Sequence, residues 1–417
     1  MDRRELSPVQ PEEGLARALK TSVLKPEVEE VGVWEAYGRR LAEDVKVTVE
    51  IPPYHMAFFD GYAVRVESLK RAGRKPVKLR VAGSIQLEEK VLPVVKLGEA
   101  YKVCAGAPLP IGADCLIPFE KAVEKDGEIW VRERAKRGQY VVWKGKDFKR
   151  NAVALKAGRW LRSQDLALLF RLRMGRVKVY VKPRVALFSI GSELTDSLEE
   201  EEKTPASHGI LFKGLVEASG GKAEYLGVIP DDLEEIASRL REALREFDIL
   251  VTLGGSSVGE RDLVSEAVNR LGKPGIIVEG LKVRPGAANR LGVVNGKPIV
   301  LIPGLIQSAL VGFHYLLKPL ILAKLGSLKE APPIVKASLT RRIILRDSQG
   351  FRRVYFVRLS RGAEGFKAEP LMGESPLISP TVKASGCILP PRGKQVAEKG
   401  ETVDVHVTPG LFPLGWS

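Results

Sequence analysis

The hydrophobic pattern changes character along the chain and predicts several domains. The first 45 residues read as helical, because apolar positions recur at helical spacing in Pro11 to Lys20 and again in Trp34 to Leu41. From Val45 to about Val142, short β-branched runs alternate with Gly, Pro and Asp-Gly turns, which predicts a small β-rich domain. Ser163 is a candidate cap for a further helix, which Gly175 ends before a strand at VKVYV.

From Arg184 to about Gly326 the pattern becomes strand, loop and helix in repetition. Strands are predicted at RVALFSI, AEYLGVI, DILVTL and PIVLIPG, and a helical run follows each of them. This alternation predicts a three-layer α/β domain, with a mostly parallel sheet covered by helices on both faces. After Pro332 short strands such as FRRVYFVRL return, which predicts a C-terminal β domain. A chain of 417 residues is long enough for two to four domains.

Composition excludes several classes of protein. The N-terminus is charged from its second residue, which argues against a secretory signal. The apolar segment Leu301 to Leu325 is interrupted by His314, Lys318 and Pro319, so we expect a buried helix and no membrane span. Three cysteines without CxxC spacing predict a cytosolic protein without a structural zinc site. Four scattered histidines leave oxygen ligands as the expected donors to any metal.

The chain is strongly basic. Its 66 Lys and Arg residues against 51 acidic residues give a net charge of +15, which favours anionic partners, nucleic acid among them. A thermophile-like surface explains the same charge, because Asn, Gln, Cys and Met are also sparse. Net charge alone leaves both interpretations open.

The loop after DILVTL has the composition of a phosphate-binding loop. In an open parallel sheet, ligands bind beyond the carboxyl ends of the strands. In GGSSVGERD the glycines permit close backbone approach, the serines offer hydroxyls, and the next helix start directs N–H groups at an anion. It is neither a Walker A loop nor a GxGxxG motif, and a turn whose serines merely cap a helix is the alternative. The candidate ligand contacts are Gly254, Gly255, Ser256, Ser257 and Gly259.

Three further loops lie beyond strand ends or close to them. Glu193 in SIGSEL and Asp262 at the end of the glycine loop lie on neighbouring loops, where two carboxylates could share one Mg²⁺ with a phosphate. Arg284 in VRPGAA could hold a phosphate or oxyanion through two hydrogen bonds, although a solvated turn arginine fits equally well. The candidate contacts in VRPGAA and IPGLIQSA are Arg284, Pro285, Gly286, Pro303, Gly304 and Ser308.

Two loops of the β-rich region also carry candidate residues. FFDGYAVR places Asp60 before Gly61 in an apolar stretch, which by itself indicates a hairpin turn. CAGAPLPIGAD is a rigid Gly/Pro loop with exposed backbone donors, and its candidate contacts are Gly106, Ala107 and Pro108. No Ser/His/Asp or Cys/His arrangement occurs at credible spacing, so nucleophilic hydrolysis has no support.

The order of these motifs is more informative than any one of them. GRRLAEDV, FDGYAVR, GAPLPIGAD, GKD, SIGSEL, GGSSVGERD, RPG and IPG follow one another as in MoeA-like molybdopterin molybdenumtransferases, which are related to the gephyrin E domain. From about residue 10 onward the chain resembles a divergent member of this family. The resemblance implies a helical linking domain (1–45 and 143–178), a β-rich insert (46–142), a MogA-like α/β molybdopterin-binding domain (179–328) and a C-terminal β domain (329–417).

The resemblance also implies an activity and an assembly. An elongated cytoplasmic homodimer would place each active site between one subunit's insert and its partner's α/β domain. The reaction would take adenylylated molybdopterin and molybdate or tungstate, with Mg²⁺, and yield molybdenum cofactor and AMP. The family's functional acids fall on Asp60, Asp147, Glu193 and Asp262, with a further acid at Asp231 or Asp232. Glu193 and Asp262, together with Asp231, would hold Mg²⁺, and Asp60 would orient the dithiolene or molybdate.

Several positions depart from the family pattern. His55 to Phe59 replace an Asp-Asn-Ser-Ala-Met run, Ala105 replaces a threonine, and Ser207 to Gly209 replace Asp-Ser/Thr-Asn. Ala287 stands in place of a lysine, and Leu305-Ile306 in place of Asn-Pro. Three functions therefore stay open: a metal-inserting enzyme, which the acids favour, a paralogue that binds cofactor or a partner without turnover, and a basic nucleic-acid-binding protein.

Overall fold

The chain folds into two compact units. The computed structural model describes residues 7–255, 262–327, 334–373, 375–391 and 393–407. The smaller unit comprises Gly32–Tyr37 and Glu43–Val177, and the larger comprises Met1–Val31, Gly38–Ala42 and Lys178–Ser417. Of the predicted ligand contacts, Ser256, Ser257 and Gly259 lie outside the described residues.

The smaller unit is built on a six-stranded sheet. Successive side chains of a strand point to opposite faces, so Tyr62 and Val64 enter one apolar core while Ala63 enters another. In spatial order the strands are Cys115–Pro118, Gly61–Val64, Glu99–Val103, Val77–Ile85, Glu128–Val131 and Ala122–Lys125. The other elements are the strand pairs Val45–Lys46 with Val153–Leu155 and Met56–Ala57 with Val141–Val142, the helix Ser163–Arg171, and 3-10 helices at Val33–Glu35, Val66–Leu69 and Phe119–Lys121.

Two local predictions for this half of the chain are wrong. Trp34 to Leu41 does not form a helix: a single 3-10 turn ends at Glu35, and Gly38 then adopts a left-handed φ of +67°, which a helix does not accommodate. Ser163 does not cap the following helix, because it is already the first helical residue. Asp165 instead accepts a hydrogen bond from the Arg162 N–H at 3.0 Å.

The centre of the larger unit is a mostly parallel sheet, as predicted. Strands β1, β2, β3 and β6 run parallel to their neighbours among these four, and β5 is antiparallel to both β6 and β4. Buried parallel strands are continuous apolar runs, and Val185 to Ile190 of β1 are all buried. The strands are β1 (Arg184–Ile190), β2 (Lys222–Ile229), β3 (Ile249–Gly254), β4 (Pro274–Val278), β5 (Arg290–Val294) and β6 (Lys297–Ile302), in the spatial order β2-β1-β3-β6-β5-β4.

Four helices accompany this sheet. The apolar faces of α2 and α3 pack on strand residues that include Phe188 and Leu250. Helix α1 contacts β1 and β2, and its Phe212 meets Phe313 of α4 edge to face, with ring centroids 6.2 Å apart. The helices are α1 (Ser207–Ala218), α2 (Leu233–Glu246), α3 (Leu263–Leu271) and α4 (Ile306–Lys324).

Helix α4 is a core helix. In the described part of the chain it alone is long and apolar enough to cross a membrane, but 72% of its apolar window is buried within the protein. A π-helical turn, Phe313–Leu317, interrupts it. Pro319 lies just beyond that turn and has no N–H to donate to the Tyr315 carbonyl, which favours a local change of helical geometry. The segment thus has the buried position expected from its polar interruptions.

The C-terminal part of the larger unit is a closed β-barrel. Its strands, in spatial order, are Ile334–Leu339, Gly365–Pro370, Tyr355–Gly362, Gly386–Ile388 and Thr402–His406. Beside it, Arg352 is buried and binds Glu12 of the N-terminal helix through two hydrogen bonds of 2.7 and 2.8 Å. The remaining elements are the helices Pro11–Thr21 and Ser379–Lys383 and the strands Val28–Gly32, Arg176–Tyr180, Leu194–Thr195, Thr204–Pro205, Val283–Arg284, Ile343–Ile344, Arg352–Arg353 and Val396–Ala397.

Basic side chains lie where α4 meets the barrel. His314 Nε2 is 3.6 Å from Cys387 Sγ. Burial, reinforced by the neighbouring Lys318 and His406, lowers the pKa of His314 to about 3. Burial also lowers the pKa values of Lys318 and His406. The folded protein therefore keeps these imidazoles neutral at pH values where the unfolded chain binds protons.

We expect the free energy of unfolding to fall as the pH drops from about 6.5 towards 3. Above pH 6.5 His314 is neutral in both the folded and the unfolded chain, so it does not make the free energy of unfolding depend on pH. Below pH 6.5 His314 binds a proton in the unfolded chain but not in the folded protein, which lowers the free energy of unfolding by roughly 1.4 kcal/mol per pH unit. Urea unfolding at pH 7, 6, 5 and 4 measures this slope. His314→Gln should reduce the slope, and an unchanged slope in that variant would contradict the assignment.

Candidate active site

Glycines permit close approach at the ends of β1 and β3. Ile190 lies opposite Gly254 in the parallel register. Gly254 has a φ of +97°, and a Cβ at this position would lie 2.5 Å from the Ile190 carbonyl oxygen. Gly255 has a φ of +65°, and its Cβ would lie 2.6 Å from the Ile190 side chain. The first two residues of the predicted phosphate loop therefore accept no side chain without rearrangement.

The loop after β1 is tied to the loop after β2. Ser192 N–H donates to Asp231 Oδ2, and Asp231 N–H donates to Ser192 Oγ, both at 3.0 Å. Glu193 is exposed, and its carboxylate lies over Gly191, where an added Cβ would be 2.6 Å from both of its oxygens. The structure thus brings Glu193 and Asp231 to adjacent loops at one edge of the sheet. The strand-end position predicts this place for Glu193, whereas Asp231 was expected only from the family resemblance.

Asp262 has other partners. It caps α3, with Oδ1 accepting a hydrogen bond from Ser265 N–H at 3.2 Å. Its Oδ2 accepts a hydrogen bond from the guanidinium of Arg290, the first residue of β5. Arg290 is only 5% exposed, and it also donates from Nε to the Glu279 carbonyl oxygen at 3.2 Å. Both carboxylate oxygens of Asp262 are therefore engaged within the protein.

These contacts decide which acids fit Mg²⁺. Within the described ranges, no group of three or more His, Cys, Asp or Glu side chains converges to hold a metal. Mg²⁺ is commonly bound by one or two carboxylates together with substrate phosphates, so the exposed Glu193 fits such a role. Asp262 does not fit it, because the Arg290 guanidinium places a positive charge against its carboxylate.

The RPG and IPG loops are joined by Asn289. Its Nδ2 donates to the carbonyl oxygens of Gly286 and Ser308, both at 2.9 Å. Asn289 is fully buried, and Gly312 is required beside it, since an added Cβ would overlap Asn289 Oδ1. Sequence reasoning missed Asn289 and Arg290. The available signal was a polar pair directly before the apolar run LGVV.

Two predicted ligand contacts are occupied by the C-terminal part of the same unit. Arg284 donates to Gln349 Oε1 at 2.8 Å, and its guanidinium lies 3.2 Å from Asp347 Oδ2. Ser308 Oγ lies 3.0 Å from Ser375 Oγ. Arg284 and Ser308 therefore have protein partners where the sequence suggested a phosphate or oxyanion.

The remaining residues of these two loops differ in exposure. Gly304 is exposed, and the nearest atom to a Cβ built on it is Gly254 Cα at 4.0 Å. Pro303 is buried, and Pro285 follows Arg284 through a cis peptide bond. Gly304 is thus the open position close to the end of β3.

In the smaller unit, the structure brings Asp60 to the Gly/Pro loop. Asp60 is exposed, and its Oδ1 accepts a hydrogen bond from Ala105 N–H at 2.7 Å. Ala57 N–H donates to the Ala107 carbonyl at 3.0 Å, and Gly106 N–H donates to the Ala57 carbonyl at 2.8 Å. Pro108 continues the contact as a bridge to Met56, and Gly61 lies against the Ile117 carbonyl, where a Cβ would overlap. A fixed backbone frame therefore holds the Asp60 carboxylate.

Aromatic side chains flank Asp60. Phe58 and Phe59 are 57% and 43% exposed and meet edge to face, with centroids 4.7 Å apart. Phe59 also meets Tyr140 at 5.2 Å. Asp147 is exposed on another loop of this unit, which its N–H fixes by donating to the Ile51 carbonyl at 3.0 Å. Beside Asp60, the aromatic Phe58 and Phe59 thus belong to a run that carries polar side chains in the family pattern.

The start of α1 is electrostatically unusual. Tyr225 OH donates to Asp196 Oδ1 at 2.6 Å and lies 3.1 Å from Ser189 Oγ. Burial, and then the Asp196 carboxylate, raise the pKa of Tyr225 to about 12. Burial lowers the pKa of His208, so this residue contributes no positive charge at neutral pH. Because His208 is uncharged, the segment Ser207 to Gly209 offers no positive side chain to an anionic ligand.

The geometry defines a class of protein: an α/β domain with glycine turns and acids at its strand ends, in one chain with a β-rich unit and a β-barrel. Family comparison matches residues 9–172 to the MoeA N-terminal region (domain I and II), 186–323 to a probable molybdopterin binding domain, and 336–408 to the MoeA C-terminal region (domain IV). The chain belongs to the MoeA family.

Individual relatives extend over almost the whole chain. A putative molybdopterin biosynthesis protein of Methanocaldococcus jannaschii is 30% identical, over 91% of this chain and 92% of its own length. A molybdopterin molybdenumtransferase of Staphylococcus aureus is 27% identical, over 96% of each chain. Two structures of a molybdopterin biosynthesis MoeA protein from Pyrococcus horikoshii are 30% and 27% identical, with TM-scores of 0.80 and 0.81, and each covers 96% of this chain and 99% or more of its own. The resemblance drawn from the motifs and the multidomain fold class are confirmed.

Proposed function

We propose that this chain is a molybdopterin molybdenumtransferase, which inserts molybdenum or tungsten from molybdate or tungstate into adenylylated molybdopterin and releases AMP. The observation that carries the proposal is the exposed carboxylate of Asp60, held by the Ala105 N–H in a fixed backbone frame. An exposed, oriented carboxylate can accept a proton from a substrate thiol as sulfur binds the metal. Asp147 and Glu193 are also exposed acids.

In the α/β domain, Gly254 and Gly255 would bring backbone N–H groups close to the phosphates of the substrate. Mg²⁺, held by Glu193 with help from Asp231, would neutralise charge that develops on the leaving AMP. Ser192 keeps Asp231 beside that position through their two hydrogen bonds. Asp262 fixes the start of α3, and its carboxylate carries no step of this proposal.

The assembly and location are part of the same proposal. A cytoplasmic homodimer, with each active site between one subunit's insert and its partner's α/β domain, follows from the family resemblance. The four domain ranges stated from the sequence, and a thermophile-like surface as the origin of the +15 charge, are proposed with it. Light scattering on the purified protein tests the dimer: a monomer mass at working concentration contradicts it.

Release of AMP is the direct test. Purified protein receives adenylylated molybdopterin, Mg²⁺ and molybdate or tungstate, and AMP is quantified by chromatography against a control without protein. We expect AMP release together with cofactor that reconstitutes an apo-enzyme. Ligand that binds without AMP release would replace this proposal by the second candidate.

That second candidate is a paralogue that binds cofactor without turnover. It is favoured by the contacts that engage Arg284 with Asp347 and Asp262 with Arg290, and by the exposed Phe58 and Phe59 beside Asp60. Each of these features reduces hydrogen-bonding or charge available to an anionic substrate.

A further inference from the structure

Arg290 occupies a position that is unusual for a charged side chain. It begins the antiparallel strand β5 and lies opposite Leu301 near the end of β6, which places it at the edge where the parallel strands end. It is only 5% exposed. Its guanidinium donates to Asp262 Oδ2, it lies 3.4 Å from Ser265 Oγ, and its Nε donates to the Glu279 carbonyl oxygen.

Arg290 and its partners belong to three segments. Asp262 and Ser265 form the start of α3, Glu279 precedes the RPG turn, and Arg290 itself belongs to β5. A guanidinium is planar and permanently charged, so it satisfies several acceptors in one fixed geometry. Asn289, the residue directly before Arg290, likewise joins two loops, the RPG and IPG loops, through its side-chain hydrogen bonds. Consecutive polar residues therefore tie together the loops around the proposed site.

The charge of Arg290 also decides what else can approach Asp262. A divalent cation on this carboxylate would lie within a few ångströms of the guanidinium, and like charges in a partly buried place repel strongly. By contrast, Glu193 is exposed, with its carboxylate over Gly191. The two acids that the sequence places in one metal site are thus in different electrostatic settings.

We infer that Arg290 is a positioning residue that takes the place of a divalent cation at Asp262, so that metal binding in this protein depends on Glu193 and not on Asp262. Asp262 acts through Arg290 to hold the start of α3 at the strand-end edge. The assignment of the metal to Glu193 rests on the proposed function, whereas the coupling between Arg290 and Asp262 does not.

The coupling is tested by stability alone. Asp262→Asn, Arg290→Gln and the double variant of the full-length protein are compared by urea unfolding. Removing one partner leaves a buried group without its counter-charge, whereas removing both does not. We expect the change in the unfolding equilibrium constant of the double variant to differ at least tenfold from the product of the changes in the two single variants. Arg270→Gln is the matched control, since Arg270 pairs on the exposed face of α3 and should change the constant less than threefold.

The dependence of metal binding on each carboxylate is tested with Mn²⁺ as a spectroscopic probe in the presence of AMP. Electron paramagnetic resonance gives the Mn²⁺ dissociation constant for each variant without any requirement for turnover. We expect Glu193→Gln to weaken Mn²⁺ binding at least tenfold and Asp262→Asn to leave it within threefold. Arg290→Gln should tighten binding several-fold, because it frees the Asp262 carboxylate, whereas Arg290→Lys retains the charge and should not.

The outcomes separate the two claims. Additive stability effects, or an Asp262→Asn variant that loses Mn²⁺ as strongly as Glu193→Gln, would overturn the inference. Absence of Mn²⁺ binding by the unchanged protein would overturn the assignment to Glu193. Failure of AMP release by the unchanged protein would refute the proposed function while leaving the stability cycle as a valid test of Arg290.

Discussion

Replacing Asp60 with alanine is expected to lower the rate of metal insertion by about 100-fold or more, with substrate binding changed little. The carboxylate is exposed and fixed by the Ala105 N–H, so it is available to the reacting groups and contributes little to the core. Asp60→Asn keeps the hydrogen-bond acceptor but removes the charge and the basicity, and it should lose nearly as much activity.

The measurement separates turnover from binding. Initial rates of cofactor formation give the catalytic effect, and calorimetric titration with adenylylated molybdopterin gives the affinity. Asp126→Asn provides the control, because Asp126 is an exposed carboxylate in a turn of the same unit with a φ of +52° that asparagine also tolerates. Turnover that survives in Asp60→Ala would remove Asp60 from the reaction.

Replacing Gly254 with alanine is expected to destabilise the protein by about 3 kcal/mol. The backbone at φ +97° disfavours an L side chain, and the new methyl group would lie 2.5 Å from the Ile190 carbonyl oxygen, so the ends of β1 and β3 must separate. Because these strand ends position the proposed phosphate contacts, AMP binding should weaken together with stability.

Urea unfolding of Gly254→Ala measures this effect, with Gly304→Ala as the matched control. An alanine methyl at Gly304 meets no clash, since the nearest atom, Gly254 Cα, is 4.0 Å away at ordinary van der Waals distance, so stability should change by less than about 0.5 kcal/mol. Equal stability of the two variants would show that the strand ends relax without cost.

Local periodicity explains which parts of the fold the sequence predicts. DILVTL and RVALFSI are continuous apolar runs because both faces of a buried parallel strand meet helices, and the structure has strands there. The apolar residues of Trp34 to Leu41 have helical spacing, but Gly38 adopts a left-handed conformation that a helix does not accommodate. Periodicity thus succeeds where burial extends over a whole element and fails over one or two turns.

The site is predictable only in part for a different reason. Strand-end position identifies Glu193, because ligands bind where parallel strands end, whereas Asp231 is identified only through the family resemblance. The partners that change the chemistry are remote in sequence: Arg290 is 28 residues from Asp262, and Gln349 is 65 residues from Arg284. The hydrophobic and polar pattern of the sequence does not show which residues so far apart will pair. Asn289 and Arg290 are consequently visible only as polar residues before a buried strand.

The contact between Glu12 and the buried Arg352 bears on the order in which parts of the fold can form during synthesis. The two residues are 340 positions apart, so the N-terminal helix leaves the ribosome long before its partner is made. At about 5–20 residues per second, the interval is on the order of 20 to 70 s. Through that interval the Glu12 carboxylate has no Arg352 guanidinium to pair with. The contact with Arg352 can thus form only late in synthesis, whereas the contacts of the same helix with β4, β5 and α4 can form earlier.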